Sequence, residues 1–363
     1  MFFRNRILLA AGVLAALLGA SAQAAPLHGV LLTAAQATHK RLLSLKKQGL
    51  DSAVLSLSDE QSRQGRAAAR RILKSGLQLY YWVEVGRNPV MADEHPDWMA
   101  SLQGHPEWRR FFPKLRRPGA GEVVKNYPWV PVVYRESFRA HLHRVESLLK
   151  QQPEPRGVFL NDLQSAPSAC GCGNPFCRWT PDYGPIKTAT YLGDEAAASF
   201  VLAVQAVVPK SQIIPVWTTE CEDHDQADRC AGVPCYPGTC WWEYTKQLMS
   251  LARRAEQLAV LVPYKAFDRD QPRYGPTAGW VKFAILSFAE MPPKRQGEAI
   301  PANRIIAVLQ GWDVSDEEVK AQIQRSAEAG SAGYVVALTK IEQSWTPRIV
   351  TVQKPASALL HRQ

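Results

Sequence analysis

Short apolar runs alternate with helical patterns along most of the chain. Each run has five to nine residues rich in β-branched, aromatic or leucine side chains, which is typical of strands buried on both faces. The eight predicted strands are Leu27–Leu32, Ala53–Leu57, Leu77–Val85, Gly157–Asp162, Ile213–Trp217, Leu258–Val262, Arg304–Leu309 and Gly333–Leu338. The predicted helices between them are Ala34–Gln48, Ser58–Lys74, Ser137–Gln151, Asp194–Val208, Glu243–Ala255, Thr277–Glu290 and Ser315–Ala329.

Eight strands alternating with helices predict an α/β fold, a (β/α)8 TIM barrel. A doubly wound open sheet is the alternative, but no glycine-rich phosphate loop follows the first predicted strand. The barrel domain is predicted to span 25–350, with a tail at 351–363. An irregular, proline-rich excursion interrupts it at about 87–136, after the third predicted strand. The aromatic residues of this excursion predict that it is ordered and packs over the barrel.

The first 24 residues have the pattern of a secretory signal peptide. Arg4 and Arg6 precede an apolar run, and Ala22-Gln23-Ala24 is a small-x-small cleavage site. We therefore expect a periplasmic or secreted protein with no membrane span after cleavage; an uncleaved anchor is the alternative.

Composition is that of an ordinary globular protein, with 46% hydrophobic and 21% charged residues. The formal net charge of +10 favours anionic partners but says nothing about the fold. Lys and Arg are scattered in short clusters, and no zinc-finger, homeodomain or RNA-binding signature is present. We therefore expect no nucleic-acid partner.

Seven cysteines cluster in the loops after the fourth and fifth predicted strands. Outside the cytoplasm, three disulfides and one free thiol are the first expectation. A structural zinc or other thiolate site is the alternative, because three of the cysteines form a tight Cys-x-Cys-x4-Cys pattern. A catalytic cysteine is the least favoured reading. The cysteines are Cys170, Cys172, Cys177, Cys221, Cys230, Cys235 and Cys240.

Several carboxylates stand at or near the ends of predicted strands, where TIM barrels carry their active sites. Paired carboxylates at one mouth are what glycoside hydrolysis requires. The candidate catalytic residues are Asp162, Glu220, Glu84 and Asp313. We expect Asp162 to be the nucleophile or base and Glu220 the acid. Asp59 and Glu60 are better explained as helix-capping residues.

Other polar and aromatic residues at these ends are candidates for substrate binding. Tryptophan faces stack on sugar rings, although tryptophans also serve in ordinary cores. Lys265 follows the sixth predicted strand, where Schiff-base aldolases place their lysine, so aldolase chemistry stays open; an ion pair is the simpler reading. The candidates are Asn161, Trp82, Trp217, Tyr264, Lys265, Gln310 and Trp312.

The chain resembles exported TIM-barrel proteins of the glycosidase superfamily, including its uncharacterised glycoside-hydrolase-like families. The resemblance rests on the predicted barrel over 27–345, on the repeated His-Pro-Asp/Glu-Trp at 95–98 and 105–108, and on Asn161-Asp162. Cellulase-like barrels have Asn-Glu at the end of strand four and a nucleophilic Glu after strand seven, where this chain has Gln310 and Asp313. Melibiase-like barrels use an Asp after strand four as the nucleophile, as Asp162 would be.

The resemblance implies a carbohydrate substrate, and the basic net charge favours an anionic one. We expect no cofactor beyond the structural zinc considered above. The first functional expectation is therefore an exported glycoside hydrolase or carbohydrate-active protein. The alternative is a non-catalytic periplasmic carbohydrate-binding or metal-binding protein that uses the cysteine-rich loops.

Overall fold

The structure of the protein, a computed structural model, describes residues 26–59, 62–100, 112–163, 186–218, 254–263, 265, 277–289, 300–342 and 346–351. The strands in these ranges are β1 (Leu27–Leu32), β2 (Ser52–Ser56), β3 (Gln78–Glu84), β4 (Glu122–Tyr127), β5 (Gly157–Asn161), β6 (Gln212–Thr218), β7 (Leu258–Val262), β8 (Ile305–Gln310), β9 (Gly333–Ala337) and β10 (Thr346–Thr351).

The strands β1-β2-β3-β5-β6-β7-β8-β9 form a closed barrel in that order. Every neighbouring pair is parallel, and β9 pairs with β1 to close the ring. Parallel neighbours require a crossover on the outside of the barrel, which the helices supply. The structure therefore confirms the predicted (β/α)8 barrel, and β5 is its fourth strand.

The α-helices in the described ranges are α1 (His39–Lys47), α2 (Ser62–Lys74), α3 (Pro89–Glu94), α4 (Arg135–Lys150), α5 (Ile186–Val207), α6 (Gly279–Ala289) and α7 (Asp316–Glu328). The predicted capping box is confirmed, since Ser315 and Glu318 exchange hydrogen bonds at the start of α7. The predicted first residue was wrong for two helices. Thr38, not Ala34, precedes the first helix and caps it through Arg41 N–H; α5 begins eight residues before Asp194. Most of the predicted helix Glu243–Ala255 lies outside the described residues.

The barrel strands bury side chains on both faces. Trp82, Phe159 and Ile306 belong to the cluster inside the barrel. Tyr81 and Val158, next to them in sequence, belong to the larger cluster that packs against the helices. Because successive side chains of a strand point to opposite faces, this alternation fixes which residue at each strand end faces the barrel axis. On β3 and β5 those residues are Glu84 and Asn161.

The excursion contains regular structure that was not predicted. It includes α3, a short 3-10 helix (Pro96–Trp98), and β4, which pairs antiparallel with β10 beyond the last barrel strand. β4 follows the C-terminal end of β3 in the chain, and β10 follows that of β9, so the ribbon lies on the C-terminal side of the barrel. Met91, Met99 and Val130 form a small apolar cluster with its residues Tyr127 and Val350. Among the described helices, none is long and apolar enough to cross a membrane.

Candidate active site at the ends of β3 and β5

Glu84 and Asn161 end two neighbouring strands and lie directly opposite each other in the β3–β5 register. Asn161 Nδ2 donates a 2.8 Å hydrogen bond to Glu84 Oε2. Trp82 Nε1 donates a 2.6 Å bond to the other carboxylate oxygen. The Trp82 indole itself is held by stacking on Phe159, with ring centroids 6.0 Å apart. Glu84 is thus a half-buried carboxylate held by two donors on rigid strands.

Asp162 follows β5 directly and has a left-handed backbone, with φ of 59°. Asp and Asn tolerate this conformation better than most residues. Its carbonyl oxygen accepts a hydrogen bond from Gly86 N–H at 3.2 Å. A Cβ atom at position 86 would collide with that oxygen, so glycine permits the close approach of the two loops.

The Asp162 side chain is buried, with 3% of the residue exposed. Neither carboxylate oxygen has a hydrogen-bond partner of good geometry among the described residues, although the Glu84 side chain lies beside it. Burial is the main cause that raises the pKa of Asp162 well above its usual range, and the charge of the adjacent Glu84 and hydrogen bonding with its side chain add to it. Arg87 opposes the rise. Two carboxyl groups therefore share one site, and the environment of Asp162 favours its protonated form.

The other side of Glu84 is held by α4. Arg144 donates from its guanidinium to the Glu84 carbonyl oxygen at 2.8 Å and pairs with Asp59 at 2.6 Å. The Asp59 carboxylate therefore supports the backbone of β3 through Arg144. Glu60, its predicted partner in helix capping, lies outside the described residues.

The excursion folds back onto this site through a tight turn. Trp129 N–H donates to the Asn126 carbonyl oxygen at 2.9 Å, and the Tyr127–Pro128 peptide between them is cis. Arg87 forms an antiparallel bridge with Trp129, and Val130 N–H donates to the Gly86 carbonyl oxygen at 2.7 Å. These bonds place the turn beside the loop that carries Arg87.

Buried polar atoms without a hydrogen-bond partner among the described residues are concentrated at this place. Most buried polar groups in proteins are paired, so these atoms are candidates for hydrogen bonds to a bound molecule. The atoms are Arg87 Nε, Asn126 Nδ2 and Oδ1, Trp129 Nε1, Asn161 Oδ1, and both carboxylate oxygens of Asp162.

The residues predicted at the end of the seventh barrel strand form a separate group. Gln310 Oε1 accepts from Lys265 N–H at 3.1 Å, and Gln322 bonds both backbone groups of Gln310. Lys265 Nζ lies 3.3 Å from Glu318 and donates to the carbonyl oxygen of Asp313 at 2.8 Å. Lys265 is thus in the ion pair that the sequence suggested, and the Asp313 side chain is exposed.

Besides Trp82, two further tryptophans were predicted to bind substrate, and they differ in placement. Trp312 is partly buried and packs on the cluster inside the barrel. Trp217 lies in the outer cluster, against the helices, because the neighbouring Val216 faces inward. Its position therefore lends no support to a role in substrate binding. Glu220, Tyr264 and all seven cysteines lie outside the described residues, so their predicted roles stay predictions.

Three residues of the site were missed in the sequence: Arg87, Asn126 and Trp129. Arg87 had a usable signal, because it follows the third strand by three positions. Asn126 and Trp129 had none, since their placement depends on the pairing of β4 with β10. No group of three or more His, Cys, Asp or Glu side chains suited to a metal ion occurs within the described ranges.

Comparison with known proteins identifies the fold. No family model matches the chain. No curated protein matches it either. A solved β-galactosidase from the psychrophile Marinomonas ef1 superposes with a TM-score of 0.50 at 9% identity, over 85% of this chain and 53% of that one. The chain thus spans about half the length of that enzyme, and at this identity the similarity shows the fold alone.

Two other solved structures are more distant. A β-glucosidase, 1317, has a TM-score of 0.46 at 8% identity, over 84% of this chain and 77% of that one. The α-L-fucosidase isoenzyme 2 of Paenibacillus thiaminolyticus has a TM-score of 0.46 at 13% identity, over 86% of this chain and 46% of that one.

Proposed function

We propose that the protein is a glycoside hydrolase in which Asp162 is the general acid and Glu84 is the nucleophile or base. The observation that carries this proposal is a pair of carboxyl groups, at the ends of neighbouring barrel strands, in contrasting environments. Glu84 accepts two hydrogen bonds, as an ionised carboxylate does. Asp162 is buried beside Glu84, and this burial raises its pKa and favours its protonated form.

Glycoside hydrolysis uses this division of roles. One carboxylic acid protonates the leaving oxygen, and the other carboxylate attacks the anomeric carbon or activates a water molecule. Environments that push two carboxyl groups apart in protonation assign the roles. The sequence suggested Asp162 as nucleophile or base with Glu220 as the acid. Burial of Asp162 supports the acid role instead, with Glu84 as its partner.

The fold is compatible with this function but does not select it. A TIM barrel carries many unrelated reactions, at the C-terminal ends of its strands. The β-galactosidase with the similar barrel is one example of hydrolysis on this fold. The argument for this chain therefore depends on its own carboxyl groups.

The test is a screen of the purified protein for release of reducing ends from a panel of polysaccharides and aryl glycosides. Asp162→Asn and Glu84→Gln should each lower turnover by about 100-fold or more, the usual contribution of acid–base groups. Glu317→Gln removes an exposed carboxylate from α7 and is the matched control. Full turnover in either site variant, with the control unchanged, would overturn the assignment.

A second candidate function is carbohydrate binding without turnover. The observation that favours it is the 3% exposure of Asp162, because an acid must reach the glycosidic oxygen. Calorimetric binding with no release of reducing ends by the wild-type protein would select this function. The partly exposed Glu84 is the point where the pair reaches solvent.

We further propose export and a cysteine-stabilised pair of loops, as the sequence suggests. The signal peptide predicts that the mature chain starts near Ala25. Fractionation with N-terminal sequencing tests the first point. Thiol titration and metal analysis test the second, since one free thiol and no metal is expected for three disulfides, and stoichiometric zinc for the alternative site.

A further inference from the structure

We infer that Arg87, Asn126 and Trp129 form a substrate subsite that binds an anionic group of the carbohydrate, a uronate carboxylate or a sulfate ester. The identity of the ligand as a carbohydrate rests on the proposed function. The placement of the subsite does not, because it follows from the geometry of the excursion.

The three residues are brought together by backbone pairing. Trp129 lies opposite Arg87 in an antiparallel bridge, which places their Cα atoms about 5 Å apart. Asn126 is the first and Trp129 the last residue of a hydrogen-bonded turn, so their Cα atoms lie within about 7 Å of each other. Gly86, next to Arg87, donates to the Asp162 carbonyl oxygen. The subsite therefore adjoins the proposed acid.

Asn126 points to a ligand most directly. The residue has 0% exposure, and both polar atoms of its amide lack a partner among the described residues. A buried amide without hydrogen bonds costs free energy of about 1–3 kcal/mol. Asn126 and Tyr127 are successive residues of β4, so their side chains point to opposite faces of the strand. The Tyr127 side chain packs in the apolar cluster of the ribbon. Trp129 adds an indole N–H that is also buried and unpaired within the described ranges.

Arg87 determines the charge of the ligand. Its Nε is buried without a partner, and none of the ion pairs found between described residues includes Arg87. Of the two nearby acids, Glu84 is bonded by Trp82 and Asn161. The Arg87 charge lowers the pKa of Asp162, but the two side chains form no hydrogen bond that would occupy the guanidinium. A guanidinium with free donors binds carboxylate and sulfate-like groups in preference to hydroxyls.

The long-range electrostatics agree with this assignment. Without Arg4 and Arg6 of the predicted signal peptide, the formal net charge of +10 becomes +8 (10 minus 2), and such a protein attracts polyanions at moderate ionic strength. Asn126 Oδ1 and the Asp162 carboxyl supply acceptors for sugar hydroxyls beside the anionic group. The subsite therefore combines one cation, two neutral donors and nearby acceptors.

Calorimetric binding to two matched pairs of probes tests the subsite. The first pair is an oligogalacturonate and its carboxyl-reduced form; the second is a sulfated galactan oligosaccharide and its desulfated form. The wild-type protein should bind the acidic member of at least one pair about tenfold more tightly or better, and the pair that shows it identifies carboxylate or sulfate.

Arg87→Gln should lower this acidic-over-neutral ratio at least tenfold, and Arg87→Lys should lower it less. Arg63→Gln, on the exposed surface of α2, removes the same charge and should leave the ratio unchanged. Trp129→Phe keeps an aromatic side chain but removes the indole N–H, and should weaken binding of the acidic probes. Thermal unfolding verifies that each variant folds. If Arg87→Gln does not fold, the test of the subsite is the acidic-over-neutral binding ratio of Arg87→Lys compared with that of the wild type.

The outcomes separate this subsite from the proposed hydrolysis. Arg87-dependent binding of an acidic probe with no turnover supports the subsite and removes the hydrolase. Turnover of a neutral glycan, with no acidic preference and no effect of Arg87, supports the hydrolase and overturns the subsite. An equal fall in the ratio for Arg63→Gln also overturns it, because bulk charge then explains the preference.

Discussion

Asn161 Nδ2 donates a 2.8 Å hydrogen bond to Glu84 Oε2 between the paired ends of β5 and β3. The bond joins two strands that are already fixed by the barrel, so it orients the carboxylate rather than the backbone. Because both residues face the barrel axis, the Glu84 charge is held at the mouth next to Asp162. A single substitution of Asn161 therefore tests whether this hydrogen bond orients Glu84.

Asn161→Ala should lower kcat/KM about 10- to 100-fold, because hydrogen bonds to charged groups contribute about 1.5–3 kcal/mol. Glu84 keeps its bond from Trp82 but loses its second donor. Steady-state kinetics on the substrate found in the screen measure the effect. Asn303→Ala, at an exposed position, is the control. Equal kinetics for the two variants would mean that the bond does not orient Glu84.

Asp162 should make the protein less stable as the pH rises. The raised pKa means that the folded chain keeps a proton that the unfolded chain loses above the ordinary value of 3.8. The folded state then binds more protons, so the free energy of unfolding falls with rising pH, by up to about 1.4 kcal/mol per pH unit. The fall begins near the ordinary pKa and ends at the raised one.

Asp162→Asn removes this titration with little change in shape. Urea unfolding of both proteins between about pH 4 and 8 should show a stability difference that shifts toward the variant as pH increases. Parallel pH profiles for the two proteins would contradict a protonated Asp162 in the folded state.

The barrel was predictable because its strands are short apolar runs separated by helices, and this pattern is local. The bounds of β1 and β7 agree with the predicted Leu27–Leu32 and Leu258–Val262. The ribbon was not predictable, because β4 pairs with β10 more than 200 residues away. No local pattern in either segment reports its partner.

The site was only partly predictable for a related reason. Glu84 and Asp162 stand at strand ends, which the sequence marks. It is harder to predict whether a side chain points to the barrel axis or to the helices, because strands buried on both faces lack the polar–apolar alternation that distinguishes the two faces. Trp217 was therefore expected at the mouth but packs against the helices. Asn126 reaches the site only through the turn that closes at Trp129.

His141 should make the protein less stable in acid. This histidine of α4 is fully buried, and its Nε2 lies 2.8 Å from the Val130 carbonyl oxygen. Burial lowers its pKa from 6.5 to about 4. The unfolded chain takes up a proton near pH 6.5 that the folded chain takes up only near pH 4. The free energy of unfolding is therefore highest above pH 6.5. It falls by about 3 kcal/mol in total as the pH decreases from about 6.5 to about 4.

His141→Gln removes the titration and retains an amide that can donate to Val130. Its unfolding free energy should vary less than that of the wild type between about pH 4 and 6.5, measured by urea unfolding. His143 lies two residues further along α4 and is exposed. His143→Gln should therefore retain the wild-type pH profile. The same profile in all three proteins would show that His141 is not neutral in the fold.

Gly86→Ala should damage the site through the backbone. The added Cβ would meet the Asp162 carbonyl oxygen, so the loops after β3 and β5 would have to separate. Overpacking of this kind costs about 1–3 kcal/mol of stability. Because Arg87 and Asp162 move with these loops, turnover should fall more than tenfold even where the protein remains folded.

Gly65→Ala is the matched control for that substitution. Gly65 lies inside α2, and a Cβ there would make ordinary contacts, the nearest at 3.5 Å to Leu57. Alanine should therefore stabilise the helix by about 0.5–1 kcal/mol. Unfolding and turnover measured on both variants separate the two effects. If Gly86→Ala behaved like Gly65→Ala, the contact between Gly86 and Asp162 would not position the acid.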